Sequence, residues 1–477
     1  MKTYVKFFLV LFTAGLFGVS LQAEIRMPSL FTDNVVLQQQ TNVAIWGWAN
    51  ADKKVTLITS WNDIQYDTLT SKNGKWKLTI KTPVAGGPYE IKISDGKERI
   101  INNVLIGEVW LCSGQSNMEM PMKGYSGQPV LGSNEAILKS KNENIRFITV
   151  PRSSKIEVQD DFEGHWLQAE PGTVANFSAT AYYFAKLLNE VLDVPVGLIH
   201  VSYGGSCIET WMSKETTETY EGVGIPQPGD SVKVPNRTPT VLFNSMLSPV
   251  IGYTIKGAIW YQGETNYINA DQYTRLFSTM VKEWRTRWGQ GDFPFYYAQI
   301  APFDYRLYKP GKDYYEKLNS AFLREAQLKA LDVIPNSGMA VLMDLGEEFC
   351  IHPADKKTGS ERLAYWALAK TYRIEGIGYA CPVLKEMTVN DTSVILSFYN
   401  IPNGLTSYGK EVINFEVAGN DKVFYPARAV LRRTSVILLC WEVKEPVAVR
   451  YAFKDYVVGE LFSTEGIPVP SFRTDDW

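Results

Sequence analysis

The chain is poor in the residues that staple a fold or hold a metal: its 477 residues include five cysteines and three histidines. Cys112, Cys207, Cys350, Cys381 and Cys440 are odd in number and contain no Cys-x-x-Cys pair. That pattern excludes a disulfide framework and every common zinc template. His165, His200 and His352 are too few for a histidine-rich metal site, so neither metal nor cofactor is expected. Net charge is also scarce, since 48 Lys+Arg against 51 Asp+Glu leave −3. No basic field is available to grip nucleic acid. There is no Gly-x-Ser-x-Gly elbow, which disfavours a lipase or peptidase of the α/β-hydrolase type. After the N-terminus no apolar run approaches the ~20 residues a membrane span needs, so no membrane partner is expected.

What is present is an ordinary globular balance, 45% hydrophobic and 21% charged, which excludes disorder and low complexity. At roughly 150 residues per domain the length implies several domains. Lys2 and Lys6 flank an apolar stretch, 7–21, that ends near the small residue Ala23. This is the layout of a secretory signal peptide over 1–23, with cleavage before Glu24, and it predicts a periplasmic or secreted protein.

Short β-rich pieces at 43–48, 54–59, 76–80 and 89–93, separated by turn signals such as Asn73-Gly74, predict a β-sandwich-like region over 24–105. Strands and helices then alternate over 106–378. Apolar strands are expected at 108–112, 145–150, 197–201, 258–261, 293–299 and 339–344. Amphipathic helices are expected at 179–192, 272–288, 317–331 and 361–372. That alternation predicts a parallel sheet covered on both faces. A β pattern returns over 379–477.

Ligands of open α/β sheets bind beyond the carboxyl ends of the strands, and four of these ends carry unusual residues. After 108–112, Gly114 permits a tight turn that presents Ser116, either as a nucleophile or as a helix-capping serine. After 197–201, Gly204 and Gly205 allow backbone N–H groups to approach a ligand. After 258–261, Gln262, Glu264 and Asn266 bring two amides and a carboxylate, and Asn266 has an N–H to offer an oxyanion. After 339–344 comes His352, the one histidine on a loop at this end of the sheet. His200 lies within an apolar strand and is expected in the core, and His165 at the surface.

Taken in order, the blocks GQSNMEMP (114–121), YGGSCIETW (203–211), IWYQGETN (259–266) and IHP (351–353) resemble the SGNH hydrolases. The resemblance is closest to the sialate O-acetylesterase-like carbohydrate acetylesterases. It implies a flavodoxin-like parallel sheet flanked by N- and C-terminal β-sandwich-like regions. It further implies an exported enzyme that removes acetyl esters from sugars, most often sialic acid, by an acyl-enzyme route. Ser116 would attack and His352 would serve as base. The Gly204 N–H and the Asn266 side chain, with the Ser116 N–H, would hold the oxyanion, while Gln115, Gln262 and Glu264 would line the sugar side. The family's usual acid, two or three residues before the histidine, is replaced here by Cys350 and Phe349. Glu348 is then the first choice for the third triad member, with Glu347, Asp344 or a backbone carbonyl as alternatives. Acetylxylan or another plant polysaccharide is the alternative substrate, and a silent carbohydrate-binding protein the alternative function.

Overall fold

The computed structural model describes residues 25–308 and 319–477, so the expected signal segment lies outside the described residues. The chain begins with β1 (Val36–Gln38), β2 (Asn42–Trp48), β3 (Lys54–Thr59), β4 (Gln65–Leu69), β5 (Lys75–Lys81), β6 (Gly86–Ser94) and β7 (Glu98–Gly114). Burial alternates along β2 and β5, which pair antiparallel and turn Val43, Ile45, Trp76, Leu78 and Ile80 inward. These side chains share a core with Val55, Leu57, Ile91 and Ile93 of β3 and β6. Period-two alternation of this kind is what a half-buried antiparallel layer requires.

Strand β7 joins this region to the rest. Its first part pairs antiparallel with β6 and parallel with β1, and burial alternates there. From Val104 to Gly114 every residue is buried: Val104–Gly107 still pair with β6 and β1, and from Glu108 onward β7 becomes the middle of a second, fully covered sheet. The expected boundary at 105/106 therefore falls inside a single strand.

That sheet adds β8 (Asn142–Thr149), β9 (Leu167–Ala169), β10 (Val196–Ser202), β11 (Gly257–Tyr261), β12 (Phe295–Ala298) and β13 (Ser337–Ala340). The spatial order is β9-β8-β10-β7-β11-β12-β13. All neighbours are parallel except β9, which lies antiparallel on β8 and makes the sheet mixed rather than purely parallel. The helices that matter for the site are α1 (Ser116–Glu119), α2 (Ala179–Leu192), α3 (Ala270–Trp288), α4 (Ala321–Val333) and α5 (Lys356–Trp366). Ser178 caps α2 by accepting the Ala181 N–H, and Asp355 caps α5 by accepting that of Thr358.

Alternate residues of each strand feed opposite faces. Trp110, Phe147, Leu198, Ile259 and Tyr296 pack with α2 and α5, whereas Leu111, Ile199, Trp260 and Tyr297 pack with α3 and α4. Strand β13 is shorter than the sequence suggests. The chain leaves the sheet after Ala340, because Leu345 turns back to the Leu342 carbonyl and Asp344 swings out to a two-point pair with Arg362.

The C-terminal part is β-rich, with one four-stranded sheet formed by Val383–Asn390, Ser393–Tyr399, Ser435–Leu439 and Arg428–Leu431. It docks on α4, where the fully buried Arg324 donates to Ser471 Oγ at 3.0 Å and to the Lys454 carbonyl. The five cysteines are free thiols. Among the described residues no helix is long and apolar enough to cross a membrane.

Candidate active site

From β7 the sheet grows in both directions, with β10 on one side and β11 on the other, so its carboxyl end is a topological switch point. Gly114 ends β7 with φ 144°. A Cβ there would lie 2.2 Å from the Tyr261 carbonyl oxygen, so only glycine lets the chain turn against β11. Two residues later Ser116 opens the single turn of α1, partly exposed.

His352 arrives on the loop between β13 and α5, and its Nε2 lies 2.7 Å from Ser116 Oγ. The other ring nitrogen, Nδ1, is hydrogen-bonded to Gln128 Oε1. Gln128 is held by a tight turn in which it and Tyr125 exchange both backbone hydrogen bonds at 3.0 Å. The same turn sets the Tyr125 ring against His352 edge-on, with centroids 5.3 Å apart. Burial, reinforced by the charge of Lys356, lowers the His352 pKa to about 4. Imidazole is thus the form present across the neutral range.

The third partner expected from sequence is corrected. Glu348 makes no contact with the ring, and its backbone carbonyl accepts the Asp304 N–H. Glu347 accepts the Ala354 N–H at 3.0 Å, and Asp344 is committed to Arg362. The group on Nδ1 is a neutral amide from a different loop, not an acid just before the histidine.

Two of the expected oxyanion donors, the Gly204 N–H and the Asn266 amide, are already engaged. Gly204 stands beside Ser116, since a Cβ on it would lie 3.4 Å from Ser116 Cβ. Its N–H donates to Glu119 Oε2 at 2.7 Å, and both oxygens of Glu119 are gripped by Arg152 at 2.5 and 2.6 Å. The Arg152 guanidinium lies over the Tyr203 ring, 4.7 Å from its centroid. Asn266 is 3% exposed; its Oδ1 accepts from Ile208 N and Gln262 Nε2, and its Nδ2 donates to Glu209.

The three residues expected to line the sugar side are buried scaffolding instead. Gln262 is wholly buried and spends its amide on the Ser206 carbonyl, Asn266 and Tyr273. Gln115 Oε1 accepts two backbone N–H groups of the turn after β11. Glu264 is 4% exposed and accepts from Asn117 Nδ2 at 2.5 Å. Their burial follows from their place at strand ends that pack against one another, where an amide or carboxylate is needed to satisfy turn N–H groups. His200 is buried in β10, and His165 is exposed.

Sequence reasoning missed Gln128, Tyr125, Asn117, Glu119, Arg152 and Lys356. Asn117 and Glu119 sat within the first block, and polar residues flanking a candidate nucleophile were a usable signal. The loop carrying Gln128 gave none beyond Gly124 and Gly127, whose positive φ values of 82° and 71° shape the loop. Among the described residues no group of three or more His, Cys, Asp or Glu side chains is arranged to hold a metal ion.

Residues 106–346 match the family model described as carbohydrate esterase, sialic acid-specific acetylesterase. The match contains Ser116, Gly204 and Asn266 and stops short of His352. Sialate O-acetylesterase of Homo sapiens is 30% identical over 403 residues, covering 76% of this chain and 74% of that protein. The Mus musculus sialate O-acetylesterase is 28% identical over 430 residues, covering 78% of each. A crystal structure of a novel carbohydrate acetylesterase from Xanthomonas citri superposes with a TM-score of 0.85 at 32% identity, covering 95% of this chain and all of that one. With the Ser116 turn at the switch point of a mixed α/β sheet, the chain belongs to the sialic acid-specific acetylesterase family of carbohydrate esterases and is a carboxylic ester hydrolase.

Proposed function

We propose that this esterase is exported and removes O-acetyl groups from sialic acid through an acetyl-enzyme formed on Ser116. The observation that carries the mechanism is the 2.7 Å contact between Ser116 Oγ and His352 Nε2, with Nδ1 anchored on Gln128. An amide oxygen can only accept, so Nδ1 carries the ring hydrogen and Nε2 presents its lone pair to the serine hydroxyl. His352 takes that proton as Ser116 attacks the acetyl carbonyl, then delivers it to the departing sugar hydroxyl. Water, deprotonated by the same nitrogen, releases acetate. The Ser116 N–H, at the head of α1, and the Gly204 N–H receive the oxyanion, Gly204 exchanging its Glu119 acceptor for it. The second N–H of the Asn266 amide completes the set. Six parallel strands in the order β8-β10-β7-β11-β12-β13, with helices packed on both faces, support a flavodoxin-like frame for this chemistry.

The test is acetate release from a panel of O-acetylated sialosides, acetylxylan and acetylated pectin, with Ser116→Ala alongside. Sialosides should be the best substrates, and Ser116→Ala should lose at least ~10⁴-fold while remaining folded. Preference for xylan or pectin would move the substrate assignment, and an active Ser116→Ala protein would remove the mechanism. Export is tested by cell fractionation, in which the mature chain should begin near Glu24 outside the cytoplasm.

A further inference from the structure

Behind the Ser116–His352 contact lies a group of buried polar side chains with no part in the steps above. Asn117, the residue after the nucleophile, is 1% exposed. Its Nδ2 donates to the carbonyl of Ile351, the residue before the base, at 3.1 Å and to Glu264 Oε1 at 2.5 Å. Its Oδ1 accepts from Lys356 Nζ at 2.5 Å. Lys356 is 3% exposed and Glu264 4%, and the second carboxylate oxygen of Glu264 has no hydrogen-bond partner among the described residues. Asn117 therefore ties the helix that carries Ser116 to the loop that carries His352. A buried ammonium holds one side of this clasp and a buried carboxylate the other.

Burying an ammonium and a carboxylate without direct contact is costly, and a neutral pair of similar volume would fill the space more cheaply. The charges therefore call for a role beyond packing. We propose that Lys356, Asn117 and Glu264 form one positioning unit of the esterase centre, in which Asn117 fixes Ser116 against His352 and the Lys356 ammonium holds that clasp while repelling a second positive charge on His352. The inference rests on the Ser116–His352 reading above.

The surroundings of both groups are consistent with this role. Lys356 is faced by Glu264 and the Tyr261 ring from β11 and its turn, by Glu347, Cys350 and His352 from the preceding loop, and by Asn117 from α1. His352 is faced by Ser116, Gln128, Tyr125 and Lys356, and among the described residues no carboxylate touches it. Burial lowers the Lys356 pKa to about 7, against the pull of Glu264, Cys350 and Glu347. Its charge is thus present below pH 7, where a protonated His352 would stop catalysis. In a carboxylate triad the third residue favours imidazolium. Here the nearby charge opposes it, so the base stays competent in acid.

The experiment is the pH profile of kcat/KM on a chromogenic acetyl ester for the full-length enzyme, with Lys356→Arg, Lys356→Gln and Lys356→Met, and thermal melts to confirm folding. Gln keeps a donor for Asn117 without the charge, so it carries the test if Lys356→Met does not fold. The acid limb should move up by about one pH unit in Lys356→Gln and Lys356→Met and stay in place in Lys356→Arg. Asn117→Ala should lower kcat by ~10²-fold with little change in KM. A folded Lys356→Gln enzyme whose acid limb coincides with wild type overturns the charge role. An Asn117→Ala enzyme with wild-type kcat overturns the clasp. Activity surviving in Ser116→Ala or His352→Ala would instead overturn the reading on which the inference rests, so the two failures are separable.

Discussion

Replacing Gln128 separates this centre from a serine-histidine-carboxylate triad. In Gln128→Ala, His352 loses the acceptor on Nδ1 and with it the bond that fixes tautomer and ring orientation. A hydrogen bond between neutral groups contributes ~0.5–1.5 kcal/mol net, and up to ~3 when a half-buried donor is left unpaired, so kcat should fall by more than ~2-fold and by up to ~10²-fold. That is far short of the ~10⁴-fold that accompanies loss of a triad carboxylate, because an amide never supplied charge to the imidazolium. KM should hold, since the interaction acts on the base and not on bound sugar. Gln128→Glu supplies the missing charge. It should raise the pKa of His352 from about 4 by roughly 1–3 units and carry the acid limb of the pH profile with it. Both are read from kcat and KM between pH 3.5 and 8 on a chromogenic acetyl ester. A Gln128→Ala enzyme within about twofold of wild type, or a Glu348→Gln enzyme that loses ~10²-fold, would refute the assignment.

In the wild-type enzyme the acid limb should lie near pH 4, because only neutral imidazole accepts the serine proton and burial lowers this one to about 4; a limb near 6.5 would contradict it. Gly204→Ala places a methyl group 3.0 Å from Glu119 Oε2 and 3.4 Å from Ser116 Cβ, and kcat should drop at least ~10-fold with the melting temperature nearly unchanged. His200, fully buried in β10, has its pKa lowered to about 4 by desolvation, against the pull of Glu119 and the Met118 backbone. The unfolded chain therefore takes up this proton first as pH falls below about 6.5, and up to ~3 kcal/mol of stability is lost by pH 4. His200→Leu should remove that dependence, so the difference in Tm from wild type should widen between pH 7 and pH 4.5; a constant difference would argue against it.

Much of the frame was legible because it rests on periodicity. The alternation of β2 and β5, the continuous apolar runs of β7, β10 and β11, and the capped α2 all express patterns that one or two sheet faces impose on sequence. That Ser116 and His352 meet was legible for a related reason, since residues at the carboxyl ends of parallel strands have few structural duties and a serine or histidine there stands out. The same logic misled for Gln115, Gln262 and Glu264. They share those strand ends, but their length lets them fold back to satisfy turn N–H groups, and nothing in a linear pattern distinguishes an amide facing a ligand from one facing its own backbone. Gln128 was out of reach because it meets His352 across 224 residues of sequence, and no local pattern links two loops so far apart.

Strand β7 has a mechanical consequence. Its 17 residues extend over about 55 Å and are laced to β6 and β1 at one end and to β10 and β11 at the other. The backbone that aims Ser116 is thus the free tip of a splinted rod rather than the end of a short strand, and the N-terminal layers act as its sleeve. An engineer who trims the chain to the catalytic portion would strip that sleeve, leaving half of β7 as a bare hydrogen-bonding edge that invites intermolecular pairing. Grafting new binding modules onto this enzyme is therefore safer at the C-terminal side, where the attachment is a docked face and not a shared strand.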